Sequence, residues 1–383
     1  MTTIWSFPTR ILFGDDSSAS LLSEVKSLGG TRVLFVTDPG VRGAGIVDPL
    51  VEQLKSGGIE STVFDALSSN PLETEVLAGA DAYRQSKADL IVGVGGGSPL
   101  DVAKLIRVAV THPLPLSQYD DAIGGDALIT GEVPPMIAVP TTAGTGSEVG
   151  RAGVVTLQSN NKKTVIFAPR LMPNAAILDP KLTVTMPARV TAATGIDALT
   201  HCIEAYCALG DHPMADGVAL EGIRLVAAHL ETAVADGSDL TARGAMLKAG
   251  MMGAVAFQKG LGACHSLAHP LGAEFDIHHG LANALCLPAV LDFNRTAVPD
   301  KIATIAKLLG ARGDDKETLA FECSGAIRSL RKKVGLADGL AAAGVKEDDL
   351  PKLASLAIQD ACHRLNPRDC SEEDMLSLFR SSL

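Results

Sequence analysis

Four of the nine histidines fall between His265 and His279, in the string HSLAHPLGAEFDIHHG, where even scattering would place well under one. Upstream, the string GIDALTHCIEAY sets Asp197 and His201 four residues apart. On a helix that spacing puts a carboxylate and an imidazole on one face. A carboxylate combined with several imidazoles is a donor set suited to a divalent ion such as Fe(II) or Zn(II). The lack of nearby thiols in this reading favours an electrophilic, hydrolytic or redox-assisting ion over a structural zinc. An Asp and a His at i, i+4 also describe a solvated surface pair. What favours a site is that both histidine-bearing segments are otherwise apolar. Which of His265, His269, His278 and His279 would join the metal is left open by the residues alone.

A second chemistry resides in two glycine-containing turns. The run Leu90–Val94 leads into Gly95-Gly96-Gly97-Ser98-Pro99 and then a segment with Asp101 and Lys104. A glycine turn between a strand and a helix lets backbone amides approach a phosphate at the positive helix end. Gly96, Gly97, Ser98 and Asp101 are therefore candidate cofactor contacts, although GVGGGS is only a near miss of GxGxxG. After Pro135–Val139 comes PTTAGTGSE, whose hydroxyls and open amides (Thr141, Thr142, Thr145) suit phosphate or ribose. Asp38, in VTDPG, ends the first strand in this reading. It could accept from ribose hydroxyls and disfavour a 2'-phosphate, or simply cap the Pro39-Gly40 turn.

The elements that must position these groups follow from periodicity. Thr31–Thr37, Ile59–Phe64, Asp89–Val94 and Pro135–Val139 read as strands, and Glu73–Ser86 reads as a helix. That alternation predicts a parallel sheet covered on both faces. After Leu182 the chain becomes Ala-, Leu- and Glu-rich, with helices expected over Val190–Cys207, Ala215–Ala233, Thr241–Phe257, Leu281–Phe293, Asp315–Val334 and Glu372–Leu383. Ser371 with Asp374 suggests a capping box for the last. The expected architecture is an α/β nucleotide-binding domain over residues 1–182, an all-α metal-binding domain over 183–383, and an active site in the cleft between them.

Composition narrows the function. A net charge of −11 argues against nucleic acid or an anionic membrane surface as partner. No apolar run is long enough to span a bilayer, and Met1–Arg10 lacks the apolar core of a signal peptide. An odd number of cysteines suggests free thiols, hence the cytoplasm.

Taken in order, VTDPG, SSNP, GVGGGSPLDVAK, PTTAGTGSEV, AATGIDALTHCIEAY and GLGACHSLAHPLGAEFDIHHGLANA resemble the iron-containing (group III) alcohol dehydrogenases over essentially the whole chain. The resemblance implies Asp197, His201, His265 and His279 as metal ligands, with His278 a neighbour. It implies His269 near the nicotinamide, as a candidate proton relay or positioning group. Asp38, Asn70, Gly97, Ser98, Thr141, Thr142, Thr145 and Lys163 take the cofactor positions, with NAD expected. AFQKGLG and HSLAHPLG look like the 4-hydroxybutyrate dehydrogenase branch, with 4-hydroxybutyrate/succinate semialdehyde or a similar short hydroxy compound as the implied pair. Gly150-Arg151 after SEV departs from the pattern, and Phe257–His265 is a residue shorter than in many relatives. A carboxylated substrate would want a cation, for which Lys259 or Arg151 is available. The expected reaction interconverts a small primary alcohol and its aldehyde, with Fe(II) ahead of Zn(II), in a homodimer or higher homo-oligomer. A metal- and NAD-dependent lyase or cyclase of the dehydroquinate synthase-like class is the alternative, disfavoured because few cations surround the histidines. A non-enzymatic metal-binding protein would leave the glycine turns unexplained, and maleylacetate reductase-like chains rank lower.

Overall fold

The computed structural model describes Phe7, residues 9–160 and residues 162–383. Most of the amino-terminal stretch read above for a signal peptide lies outside the described residues. The chain divides into two compact units, one of Phe7–Thr142 with Gly146–Thr185, the other containing Ala143–Thr145 and Met186–Leu383.

The first unit has the expected parallel α/β architecture. Its strands are β1 (Arg10–Phe13), β2 (Arg32–Val36), β3 (Glu60–Phe64), β4 (Leu90–Gly95), β5 (Met136–Pro140), β6 (Ala152–Thr156), β7 (Lys163–Phe167) and β8 (Ala175–Leu178). Its helices are α1 (Leu21–Ser27), α2 (Pro39–Gly43), α3 (Val47–Ser56), α4 (Glu73–Ser86) and α5 (Gly97–Thr111). Six strands pair in parallel in the order β1-β8-β5-β4-β2-β3. A strand buried on both faces reads as an unbroken apolar run, which is why RVLFV and LIVGV were legible.

Alternation then assigns the faces. Leu34, Val36, Ile91, Met136 and Ala138 join Val76 and Ala80 of α4 and Leu100 and Ala103 of α5 in one core. Val33, Phe35, Val92, Val94, Ile137 and Val139 meet Leu21 and Val25 of α1 and Leu50 and Leu54 of α3 in the other.

Two findings differ from the sequence reading. The strand ending before Asp38 is the second, because the short β1 precedes it and pairs with β8. An antiparallel hairpin, β6 with β7, also interrupts the α/β alternation. At four or five residues each, these strands carry too little pattern to stand out.

The chain leaves β2 for β3 on one side, then returns to place β4 on the other and continues to β5. The carboxyl ends of β2 and β4 therefore flank a topological switch point, the place where open α/β sheets bind ligands.

The second unit is all helical: α6 (Ala188–Cys207), α7 (Pro213–Ala235), α8 (Leu240–Ala256), α9 (Ala263–Phe275), α10 (His279–Asn294), α11 (Pro299–Leu308), α12 (Lys316–Lys333), α13 (Leu350–Ala357) and α14 (Glu372–Ser382). The Ser371–Asp374 capping box opens α14 as expected. The centre of the unit is α6, packed against α7, α8 and α10. It is buried on nearly every side, so any polar residue on it needs a partner. Among the described residues no helix is long and apolar enough to cross a membrane.

Candidate metal centre and nucleotide loops

Asp197 and His201 lie one turn apart on α6 and are 3% and 5% exposed, so the surface-pair alternative does not hold. Buried His265, on α9, stacks its ring on that of His201 with centroids 4.8 Å apart. His279 is the first residue of α10, and its Nε2 lies 3.6 Å from Asp197 Oδ1; His201 Nε2 lies 3.8 Å from the same oxygen. One donor atom from each of the four falls within 4.8 Å of all the others. Two donors bound at about 2.1 Å in tetrahedral geometry sit roughly 3.4 Å apart, so the cluster has the dimensions of an ion's shell.

Close backbone approach makes this possible. A Cβ on Gly280 would lie 2.2 Å from the Ala193 carbonyl oxygen, so glycine there lets the start of α10 press against α6. Gly253 of α8 does the same beneath His201, where a Cβ would come within 2.8 Å of the histidine Cβ.

The electrostatics suit a cation. Burial works to raise the Asp197 carboxyl, but the surrounding imidazoles and the Asn283 amide outweigh it and hold it at about 2. Asn283 donates to Asp197 Oδ1 at 2.8 Å. One neutral donor offsets little of a buried carboxylate's lost hydration. Burial lowers His201 and lowers His279 strongly, which keeps these rings neutral with lone pairs to give. Burial works against the charged form of His265 too, but Glu204 beside it prevails and raises it. The donor set therefore fits a divalent ion, which would take the place of a proton on His265 Nε2 while Nδ1 keeps its own toward Glu204.

Glu204 was missed by the sequence reading. Its Oε2 lies 2.5 Å from His265 Nδ1, and its Oε1 accepts from the Cys264 backbone N–H at 2.6 Å. This carboxylate pins the ring so that Nε2 faces the cluster, the usual second partner of a metal-binding histidine. The signal was present: Asp197, His201 and Glu204 stand at i, i+4 and i+7 on one face of α6. Asn283 sits one turn after His279 on α10 and was equally legible.

His269 lies beside the cluster, its ring stacked on that of His279 with centroids 5.5 Å apart. His278 stands just before α10, outside the donor group.

In the first unit Asp38 follows β2, Gly96, Gly97 and Ser98 follow β4, and Thr141 and Thr142 follow β5. Gly95 adopts φ +148°, and a Cβ there would meet Pro99 at 2.6 Å, so the turn into α5 requires glycine. Gly96 precedes α5 with no side-chain cap, leaving the N-terminal amides of Gly97 and Ser98 to meet an anion. Ser98 Oγ donates to the Ser69 carbonyl at 2.7 Å and so ties α5 to the loop that carries Asn70. Thr141 N–H donates to the Gly95 carbonyl at 2.9 Å, and Thr142 packs over Gly96. Lys163 opens β7 and is exposed. Asp38 Oδ1 accepts from Val41 N–H at 2.9 Å and caps α2, so the turn role is realised. Asp101 turns inward: it accepts from Ser147 Oγ at 2.6 Å and from Val154 N–H at 3.2 Å. Thr145 belongs to the helical unit with Ala143 and Gly144.

The two cations offered for a substrate carboxylate have partners. Lys259 is buried, with its ammonium on Asp216 and on the Tyr206 carbonyl at 3.0 Å. Arg151 lies over the Phe167 ring, 5.3 Å from its centroid.

Residues 8–180 match the family described as "Iron-containing alcohol dehydrogenase", and residues 191–383 match "Fe-containing alcohol dehydrogenase family, C-terminal". A 4-hydroxybutyrate dehydrogenase of Cupriavidus necator is 40% identical over 379 residues, 96% of this chain and 97% of that protein. An NAD-dependent methanol dehydrogenase of Bacillus methanolicus is 34% identical and covers 100% of both chains. The crystal structure of a 1,3-propanediol oxidoreductase superposes with a TM-score of 0.96 at 40% identity, covering 100% of both chains. Nothing in these comparisons supports the lyase or cyclase alternative.

Two substitutions probe the centre. Glu204→Gln should weaken metal binding about 10- to 100-fold, measured by competition with a chromogenic chelator, while NADH affinity stays unchanged. Gly280→Ala should displace the start of α10, costing about 1–3 kcal/mol in urea unfolding and lowering metal content.

Proposed function

The chain belongs to the iron-containing alcohol dehydrogenase family and is an oxidoreductase, and on that premise we propose that it interconverts a small primary alcohol and its aldehyde using NAD(H) and a divalent ion. Fe(II) is the ion favoured by the family, with Zn(II) second. The single observation that carries the reading is the set of buried Asp197, His201 and His265 with half-buried His279, whose donor atoms converge within 4.8 Å. When bound, the ion supplies Lewis acidity toward the substrate oxygen, and the nicotinamide supplies or accepts the hydride.

The chain's own groups do the rest. Asp197 offsets the ion's charge, while His201, His265 and His279 present lone pairs from nearly fixed rings. Glu204 holds the proton on His265 Nδ1. His269, stacked beside His279, is the group assigned to move the substrate proton or to position the nicotinamide. The amides of Gly97 and Ser98 at the start of α5 receive the cofactor phosphates, with Gly96, Thr141, Thr142, Thr145 and Lys163 around them. The second oxygen of Asp38 and the side chain of Asn70 are assigned to the ribose and adenine end. Asp101 acts through Ser147, by fixing the loop.

For substrate, the 40% identity to a 4-hydroxybutyrate dehydrogenase supports 4-hydroxybutyrate/succinate semialdehyde or a similar short hydroxy compound. Lys259 is not assigned to the carboxylate, since its ammonium is held by Asp216. The cytoplasm and a homodimer or larger homo-oligomer complete the proposal.

Metal analysis of the pure protein, with NADH oxidation across short aldehydes including succinate semialdehyde, tests the reading. Bound iron or zinc and turnover on at least one aldehyde are expected. A metal-free protein inactive on the whole panel would sink it, and a strong preference for uncharged aldehydes would remove the hydroxybutyrate assignment. Asp197→Ala should abolish metal binding and turnover while leaving NADH affinity within about twofold, because the residue lies outside the nucleotide-binding unit.

A further inference from the structure

His269 lies on α9 one turn from the ligand His265, and its Nδ1 is 2.7 Å from Asp360 Oδ2, a partner 91 residues away. Asp360 lies in the segment after α13, and its carboxylate is itself immobilised. Oδ1 accepts from Ser266 Oγ at 2.8 Å and from the Cys362 backbone N–H at 2.8 Å. Ser266 is fully buried on α9, and its Oγ in turn accepts from the His363 backbone N–H at 2.9 Å. Ser266 and His269, at i and i+3, thus grip the two oxygens of one carboxylate. Burial alone would raise this carboxyl, but the bonds from His269, Cys362 and Ser266 hold it well below the usual range, as an ionised acceptor.

His269, Asp360 and Cys362 also form a second group of potential metal donors. The geometry disfavours that use. Both carboxylate oxygens are already engaged, and Asp360 meets the backbone N–H of Cys362.

We infer that Asp360 is a positioning residue, fixing the His269 proton on Nδ1 so that Nε2 stands as the ring's acceptor beside the metal-ligand histidines. The inference rests on the assignment of His269 as the proton-moving group. A ring without this partner could flip or adopt the other tautomer, presenting N–H where an acceptor is needed.

Asp360→Asn is the near-isosteric test: it can keep an oxygen toward Ser266 and Cys362 while offering an NH₂ to His269 Nδ1, which reverses the tautomer. In the full-length, metal-loaded enzyme D360N should lower kcat about 10²-fold with KM within about threefold. Metal content and NADH affinity should match those of the parent. H269A should lose at least as much kcat, and the D360N/H269A double variant should be no slower than H269A alone, because Asp360 acts through that ring. D360E, which keeps the charge, should recover part of the loss. Ser266→Ala provides the same cycle if D360N does not fold: a smaller loss of kcat is expected with His269 present, and none in the H269A background.

Losses that multiply in the double variant would overturn the inference and leave the role of His269 standing. D360N turnover within about twofold of the parent, or loss of metal in D360N, would also overturn it. Full turnover by H269A would instead remove the premise about His269, and the inference with it.

Discussion

A carboxylate buried in the middle of an apolar helix is the constraint on which the rest of the second unit depends. Asp197 is 3% exposed on α6 and faces three imidazoles, with the Asn283 amide as its hydrogen-bond donor. Leaving such a charge without a cation costs several kcal/mol. The surroundings make sense as the means of gathering enough donors around one point to hold that cation. Glycines at 253 and 280 bring α8 and α10 against α6, and buried α9 supplies His265 from a third direction.

Around this point a second layer of carboxylates sets what each ring can do. Glu204 takes the Nδ1 side of His265, and Asp360 takes the Nδ1 side of His269. The chemistry is the same and the consequence differs. For His265 the free nitrogen belongs to the donor cluster, whereas His269 lies outside that cluster. Two carboxylates from different segments thus distinguish two histidines only four residues apart on one helix.

The first unit answers a different physical problem. A pyrophosphate is received by unpaired amides at a helix start that the backbone can approach closely. The order of the sheet reverses between β2 and β4, and β4 leads into α5, whose first amides carry no side-chain cap. Asp101 and Lys104 in α5 are spent internally, on Ser147 and the β6 backbone. Lys104 is fully buried, its ammonium donating to Ser147 Oγ at 2.7 Å and to the Ala152 carbonyl at 2.8 Å.

The sequence by itself determined what depends on local geometry. Asp197 and His201 at i, i+4, the glycine turn after an apolar strand, and the change from alternating strands to helices near Leu182 are all set by backbone periods. Those periods are fixed by covalent chemistry, so the Asp197–His201 pair and the two-part architecture were legible without coordinates, while the choice of His265 and His279 came from the family resemblance. Glu204 and Asn283 were legible by the same rule and were overlooked. Only the tertiary structure decided which side chains meet across long separations. It gave His269 to Asp360 and Lys259 to Asp216, 91 and 43 residues apart. It also placed short β1 beside β8 at the edge of the sheet, a pairing no local pattern announces. Such choices are made by packing, which weighs every helix at once, and a spacing of a few residues carries no record of them.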